Sequence, residues 1–328
     1  MDSRTIVESF KGKRILVIGD VMIDAYLQGK VSRVSPEAPV PIVSFGKHEE
    51  RLGGAANVAL NIAALGAVPV LTSVIGEDKE GERLLELMHL QEMSVAGIVR
   101  STDRITTVKT RVIGNNQHLL RIDHEQTNPV NSDEETELIE RVKAICESGI
   151  DAIIFEDYNK GTLTERVIQE VIALATLLSI PTAVDPKKDN FFAYQGVTLF
   201  KPNLKELKEG LNIDFQFRPG QEFEDAVNEL EKRLNNTITF VTLSEHGVFI
   251  KHDEKKHYIQ AHLRNIADVS GAGDTVISVA TLCYTVGVPV ELIASFANLA
   301  GGIVCEKVGV VSIDKEELIR EADKLIKV

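Results

Sequence analysis

Several things are scarce in this sequence, and each scarcity excludes a class of protein. Positive charge is short: 36 Lys and Arg stand against 49 Asp and Glu, a formal net charge of −13. That argues against a general nucleic-acid or anionic-membrane binder, because neutralising phosphates needs clustered basic side chains. Any anionic ligand must be met locally. Cysteine is scarce too, with Cys146, Cys283 and Cys305 scattered and odd in number, which suits buried reduced thiols in a cytoplasmic protein better than a disulfide framework. Long apolar runs are missing. "VISVATLCYTVGVPV" and "LIASFANLAGGIVC" are interrupted by polar residues and by Gly287 and Pro289, and they read as core helices rather than membrane spans. The N-terminus has charges before a short apolar stretch and no long apolar region, so no signal peptide is expected. Eight histidines show no metal-ligand spacing, which speaks against structural zinc. No G-x-x-x-x-G-K-[ST] occurs and neither glycine cluster fits G-x-G-x-x-G, so any ATP is held by another design.

What is present is an ordinary core-forming composition, 44% apolar and 26% charged over 328 residues. That length could hold two domains, but an alternating α/β chain often reaches it as one unit. Short β-rich runs recur at "RILVIGD", "VPVLTSVIG", "DAIIFED", "PTAVDP", "VTLFKPN" and "ITFVTLSEHG". Between them lie stretches with apolar residues three and four apart, such as "AANVALNIAAL", "EGERLLELMHL", "DEETELIERVKAIC", "TERVIQEVIALATLL" and "EDAVNELEKRL". The alternation predicts a mostly parallel sheet flanked by helices on both faces. Residues 25–47 and 95–125 break it, alternating apolar with polar, and the first carries Pro36, Pro39 and Pro41. They read as antiparallel strands inserted as a small β-sheet lid in one domain spanning 1–328.

Chemistry concentrates in a few places. In "DVSGAGDTVISVA" a helix starting near Ala272 would point unpaired amides, with the positive end of its dipole, at an anion, while Gly271 and Gly273 let the backbone approach it closely. Asp274 falls in the first turn. From these residues alone, an acid decorating a helix start is equally compatible. In "GGAANVALNIAALG", Gly53 and Gly54 open a helix and Asn57 sits in its first turn, facing either a ligand or solvent. Asp24 closes "GDVMID" beyond the first strand's carboxyl end, where open α/β sheets place ligands. "NLKE" sets Asn203 and Glu206 three apart, close enough to share one face of a helical turn. Arg100, Arg104, Lys109, Arg111 and Arg121 face only Asp103 between residues 98 and 121, an imbalance that suggests either an anionic substrate held by Arg forks or a solvated outer face.

Together the two glycine regions resemble the signatures of the ribokinase-like (PfkB) carbohydrate kinases, and the resemblance covers nearly the whole chain. "GDVMIDAY", "SRVSPEAPVP", "EERLGGAANVALNIA", "NNQHLLRID", "DYNKGTL", "VDPK" and "SGAGDTVI" are most similar to the heptose 7-phosphate kinases of lipopolysaccharide precursor synthesis. The resemblance implies an ATP-dependent phosphotransferase with Asp274 as base and the amides around Gly271, Ala272 and Gly273 as anion hole. It implies sugar contacts from Asp24, Gly53, Gly54 and Asn57; the phosphate of such a sugar would need basic partners, for which the lid's basic residues, Arg111 and Arg121 among them, with Arg33 and Lys160 are the candidates, and Lys187 is a further substrate-binding candidate. It places Asn203 near the phosphates, Glu206 in a water-linked Mg2+ shell, and Thr242, Ser244, Gly247 and Asn298 around the adenine nucleotide. Asp268 and Ser270 match positions that hold a monovalent cation, K+, in relatives. Two departures, Ala55 for a lysine and Val276 for an aromatic residue, weaken a ribose or adenosine reading and agree with the heptose subgroup. No HxGH occurs before Val328, so a stand-alone kinase is expected, with a separate nucleotidyltransferase acting later. Exposed lid edges predict a homodimer.

Overall fold

The computed structural model describes residues 2–326. The chain opens with α1 (Ser3–Glu8), β1 (Arg14–Gly19), β2 (Val21–Val34), β3 (Pro41–Gly54), α2 (Ala55–Ala64), β4 (Val68–Gly76) and α3 (Lys79–Leu90). It continues through β5 (Ile98–Ser101), β6 (Val108–Gly114), β7 (Gln117–His124), α4 (Ser132–Glu147), β8 (Ala152–Glu156), α5 (Glu165–Leu177), β9 (Thr182–Asp185) and β10 (Leu199–Phe200). It ends with α6 (Leu204–Leu211), α7 (Gln221–Leu234), β11 (Ile238–Thr242), β12 (Val248–His252), β13 (Lys255–Ile259), α8 (Ala272–Thr285), α9 (Val290–Val304) and α10 (Lys315–Leu325).

Nine strands form one sheet in the order β13-β12-β11-β10-β9-β8-β1-β4-β5, parallel except for the β12 and β13 edge. Successive side chains of a strand face opposite ways. In β1, Ile15 and Val17 therefore join one core with α2, α8 and α9, while Leu16 and Ile18 join the other with α4, α5 and α7. This is why "RILVIG" is apolar throughout: both its faces are covered. All three cysteines are free and buried, as expected, and burial pushes the Cys146 thiol up to about 11.

A second sheet, in the order β3-β2-β6-β7, stands apart. It matches the expected lid with two differences. First, residues 98–101 are not in it: as β5 they pair with β4, Ser73 opposite Ile98, because α3 supplies the crossover a parallel pair needs. Second, β2 and β6 run parallel, Ile23 opposite Val108, since the chain returns to the small sheet only after passing through β4, α3 and β5. The other two pairings are antiparallel. The hairpin β12-β13 was not expected from the sequence. It turns at Asp253, a non-glycine residue at φ +53°.

Candidate active site

The α8 mouth is built as its glycines suggest. Gly271, the N-cap, has φ +79°, and a Cβ there would lie 2.9 Å from Asn57 Nδ2, so both backbone conformation and space demand glycine. The amides of Gly271, Gly273 and Asp274 have no acceptor among the described residues, whereas that of Ala272 closes the entry turn on the Val269 carbonyl at 3.3 Å. Ala272 is thus a partly engaged member of the expected anion hole. Asp274 is buried, which an acid merely decorating a helix start would not be. Its Oδ2 accepts from Asn57 Nδ2 at 2.6 Å and its Oδ1 from the Tyr158 hydroxyl at 2.8 Å. Burial pushes the Asp274 carboxyl above its ordinary value, with the bonds from Asn57 and Tyr158 pulling the other way.

Opposite lies the β2-β3 base. Gly54 has φ +61°, and a Cβ would lie 2.3 Å from the Asp20 carbonyl; one on Gly53 would lie 2.1 Å from Asp24 Oδ2. Gly53 therefore gives the Asp24 carboxylate its room, and Gly54 lets the chain pass the end of β1. Asp24 is buried and ion-paired to Arg111, whose guanidinium lies 5.4 Å from the Tyr26 ring centroid. Asp20, at the end of β1, accepts from the amides of Tyr158, Lys160 and Thr162, and so fixes the loop that carries Tyr158 towards Asp274.

Strand register assembles the floor. Gly19, Glu156 and Asp185 are level across β1, β8 and β9, at the carboxyl ends of the strands. One oxygen from each of Glu156, Asp185 and Asp274 lies within 4.8 Å of the others. Both Glu156 oxygens are buried without a hydrogen-bond partner. Burial and the neighbouring charges of Asp185 and Asp274 raise its carboxyl well above the usual range. Three hard oxygen donors, one of them orphaned, fit a divalent cation such as Mg2+. Glu206 is otherwise engaged: one oxygen meets Lys187 Nζ at 2.6 Å and the other closes a capping box on the Asn203 amide at 2.8 Å. Lys187 also lies 5.5 Å from the Tyr158 ring centroid, which links the "NLKE" turn to the residue that donates to Asp274.

The remaining candidates fall around this centre or away from it. Thr242 ends β11 and bridges Asn203; Ser244 follows in a short turn. Gly247, at φ +86°, lets the chain pass the Ile259 carbonyl, which a Cβ would meet at 2.0 Å. Asn298 Nδ2 donates to the Gln260 carbonyl at 2.9 Å, tying α9 to the segment after β13. Asp268 accepts from the amides of Ser270 and Gly309 at 3.0 and 2.9 Å. The unopposed basic lid is corrected. Lys109 pairs with Asp123 and Glu125, Arg121 with Asp123 and Arg100 with Glu82, while Arg104 donates to the carbonyls of Asn128 and Lys160. Lys160 pairs with Glu125 at 2.7 Å. Strand pairing and neighbouring segments bring in acids that are distant in sequence. Among the described residues Arg33, exposed near the far end of β2, has no acidic partner.

A sequence profile described as pfkB family carbohydrate kinase matches residues 13–317. The chain belongs to that family. It is 39% identical over 310 residues to the D-beta-D-heptose 7-phosphate kinase of Bordetella bronchiseptica, covering 94% of this chain and 96% of that one. It is 40% identical over 307 residues to the bifunctional protein HldE of Methylobacillus flagellatus, covering 94% of this chain but only 62% of that protein's length. Among solved structures, phosphofructokinase-2 of Escherichia coli in complex with potassium superposes with a TM-score of 0.80 at 19% identity, over 96% of this chain and 100% of that one. The ribokinase of Arabidopsis thaliana complexed with ribose and ATP gives 0.72 at 16% identity, over 96% and 99%. These two share the fold.

Within this pfkB chain, sequence reasoning missed Tyr158, Glu156, Asp185 and Lys201 as members of the centre. "DYNKGTL", "VDPK" and "LFKPN" contained or bordered all four. The usable signal was position: each follows or closes a β-rich run, where the sheet presents its ligand-binding edge.

Proposed function

We propose that this chain transfers the γ-phosphoryl group of ATP to the anomeric hydroxyl of D-glycero-β-D-manno-heptose 7-phosphate, giving the 1,7-bisphosphate and ADP. The observation that carries the reading is the buried Asp274 carboxylate beside free amides at the α8 mouth, in a chain so similar to the Bordetella kinase. Asp274 accepts the hydroxyl proton as that oxygen bonds to phosphorus and the bridging oxygen leaves with ADP. The amides of Gly271, Gly273 and Asp274 face the charge that spreads over the phosphoryl oxygens. Asp24, Gly53, Gly54 and Asn57 orient the sugar. Glu156 and Asp185 would hold Mg2+, with Glu206 linked through water, and the ion when bound offsets phosphate charge. Asn203, Thr242, Ser244, Gly247 and Asn298 surround the nucleotide, and Asp268 and Ser270 suit a monovalent cation.

The 7-phosphate falls to the basic set of Arg33, Arg111, Arg121, Lys160 and Lys187, with Arg111 favoured by its ion pair to Asp24. The small sheet serves as a lid and as the face of a homodimer. Val34, Phe45, Leu120 and Ile122 on it are exposed, an apolar surface that a second copy would cover. The test is ADP release with synthetic α and β anomers of heptose 7-phosphate beside fructose 6-phosphate, ribose and adenosine. Preference for the β anomer is expected. A faster reaction with another acceptor would reassign the substrate, and no turnover with any would leave a sugar-phosphate-binding protein.

A further inference from the structure

Lys201 follows β10 directly, and its amide donates to the Val184 carbonyl at 2.9 Å, which sets it beside Asp185. Glu156, Asp185 and Lys201 thus stand at the ends of three neighbouring parallel strands, β8, β9 and β10. Lys201 is 2% exposed. Its Nζ lies 2.7 Å from Asp185 Oδ2, and Asp185 is its one ionic partner among the described residues. The other nearby lysine, Lys187, is drawn to Glu206 at 2.6 Å and stays 3.9 Å from Asp185.

The ammonium also reaches the α8 mouth. A Cβ built on Gly273 would lie 3.7 Å from Lys201 Nζ and 3.3 Å from Asp185 Oδ2. The space that glycine leaves open is therefore bounded by free amides on one side and by a buried cation on the other. An ammonium has three N–H donors, and here one carboxylate takes up a single direction. The other donors are left to meet a ligand that accepts from them. An anion seated on the α8 amides is within their reach.

We propose that Lys201 is a further catalytic residue, its ammonium contacting the transferring phosphoryl group while Asp185 aims it; this rests on the kinase reading above. Phosphoryl-transfer sites generally pair a lysine with the metal ion, because the charge is spread over three equatorial oxygens that no single cation covers. The competing role is structural, with Lys201 doing no more than offsetting the buried charge of Glu156, Asp185 and Asp274.

The experiment compares the full chain with Lys201→Met, Lys201→Gln and Lys201→Arg, each checked for folding by circular dichroism. Turnover is measured beside the affinity for ADP alone and for ADP with aluminium fluoride, Mg2+ and sugar phosphate, a mimic of the phosphoryl group in transfer. Loss of a catalytic cation lowers kcat by about a hundredfold. It also weakens the fluoride complex at least about tenfold more than ADP, leaves the sugar KM within a few-fold, and is partly rescued by arginine. Lys201→Gln, which is one bond shorter and uncharged but keeps an N–H donor beside Asp185, carries the test if Lys201→Met does not fold. Equal weakening of ADP and the fluoride complex, or a folded variant with near-normal kcat, would overturn the proposal. If the unsubstituted chain neither turns over nor binds the fluoride complex, it is the kinase reading that fails.

Discussion

The hydroxyl of Tyr158 donates to Asp274 Oδ1 at 2.8 Å, while Asn57 holds Oδ2 at 2.6 Å. Both oxygens of the proposed base are therefore occupied before any sugar arrives, and an incoming hydroxyl must share or displace one of these donors. Asp274→Asn keeps the shape of the buried side chain but removes the proton acceptor. A loss in kcat of roughly a hundredfold or more is expected, the size general base catalysis usually contributes. Near-normal turnover in a folded variant would assign the base elsewhere.

Tyr158→Phe retains the ring beneath Lys187 and deletes only the hydroxyl. Hydrogen bonds to charged groups contribute enough that kcat should fall roughly tenfold, with the KM for ATP little changed. Steady-state kinetics with each substrate varied in turn decides it; an unchanged kcat means that Asn57 alone orients the carboxylate.

Arg111 is nearly buried against Asp24 and Tyr26. If it reads the sugar phosphate, Arg111→Met raises the KM for heptose 7-phosphate far more than that for ATP, and the penalty shrinks with the unphosphorylated heptose. A penalty of the same size on the unphosphorylated sugar would show that Arg111 serves only to hold Asp24.

Asp78 caps α3 and ties it to the start of β6, accepting from the Gly81 amide at 2.6 Å and from the Thr106 amide and hydroxyl at 2.7 Å each. Partial burial pushes its carboxyl up, but the bonds from Thr106 and Gly81 outweigh it and hold it below the usual range. A carboxyl depressed on folding stabilises the native state above its unfolded value, about 3.9, and that stability is lost as pH falls through the folded value. Asp78→Ala should cost about 1 kcal/mol or more near neutral pH and less in acid. Urea titrations across that range measure both, and a pH-independent cost would contradict the assignment.

Leu120 and Ile122 are alternate residues of β7, so they share one face, and both are exposed. Replacing both with glutamate should convert a lid-paired dimer to a monomer by light scattering, since charged edges oppose strand pairing. A strict monomer in the unsubstituted chain would remove the dimer reading.

The layered α/β class, the helix at Ala272 and the glycine turns at 53–54 and 271 were legible because they depend on local periodicity and on backbone conformations that only glycine adopts freely. The membership of the small sheet was legible only in part. Residues 98–101 alternate as well as their neighbours do, and only the crossover through α3 carries them into the large sheet.

The order of the chain by itself determined most of the strands and helices of the layered core, though not the β12-β13 hairpin, and that a glycine-framed helix mouth carries an acid in its first turn. What only the tertiary structure decided is company. Parallel register aligns Glu156, Asp185 and Lys201 although 29 and 16 residues separate them in turn (185 − 156 and 201 − 185). Burial of Asp274 between α2 and the Tyr158 loop separates a buried, doubly hydrogen-bonded carboxylate, the proposed base, from a decorated helix start. Charge partners such as Asp24 for Arg111 come from other strands, because a β-sheet pairs residues by register and not by distance along the chain.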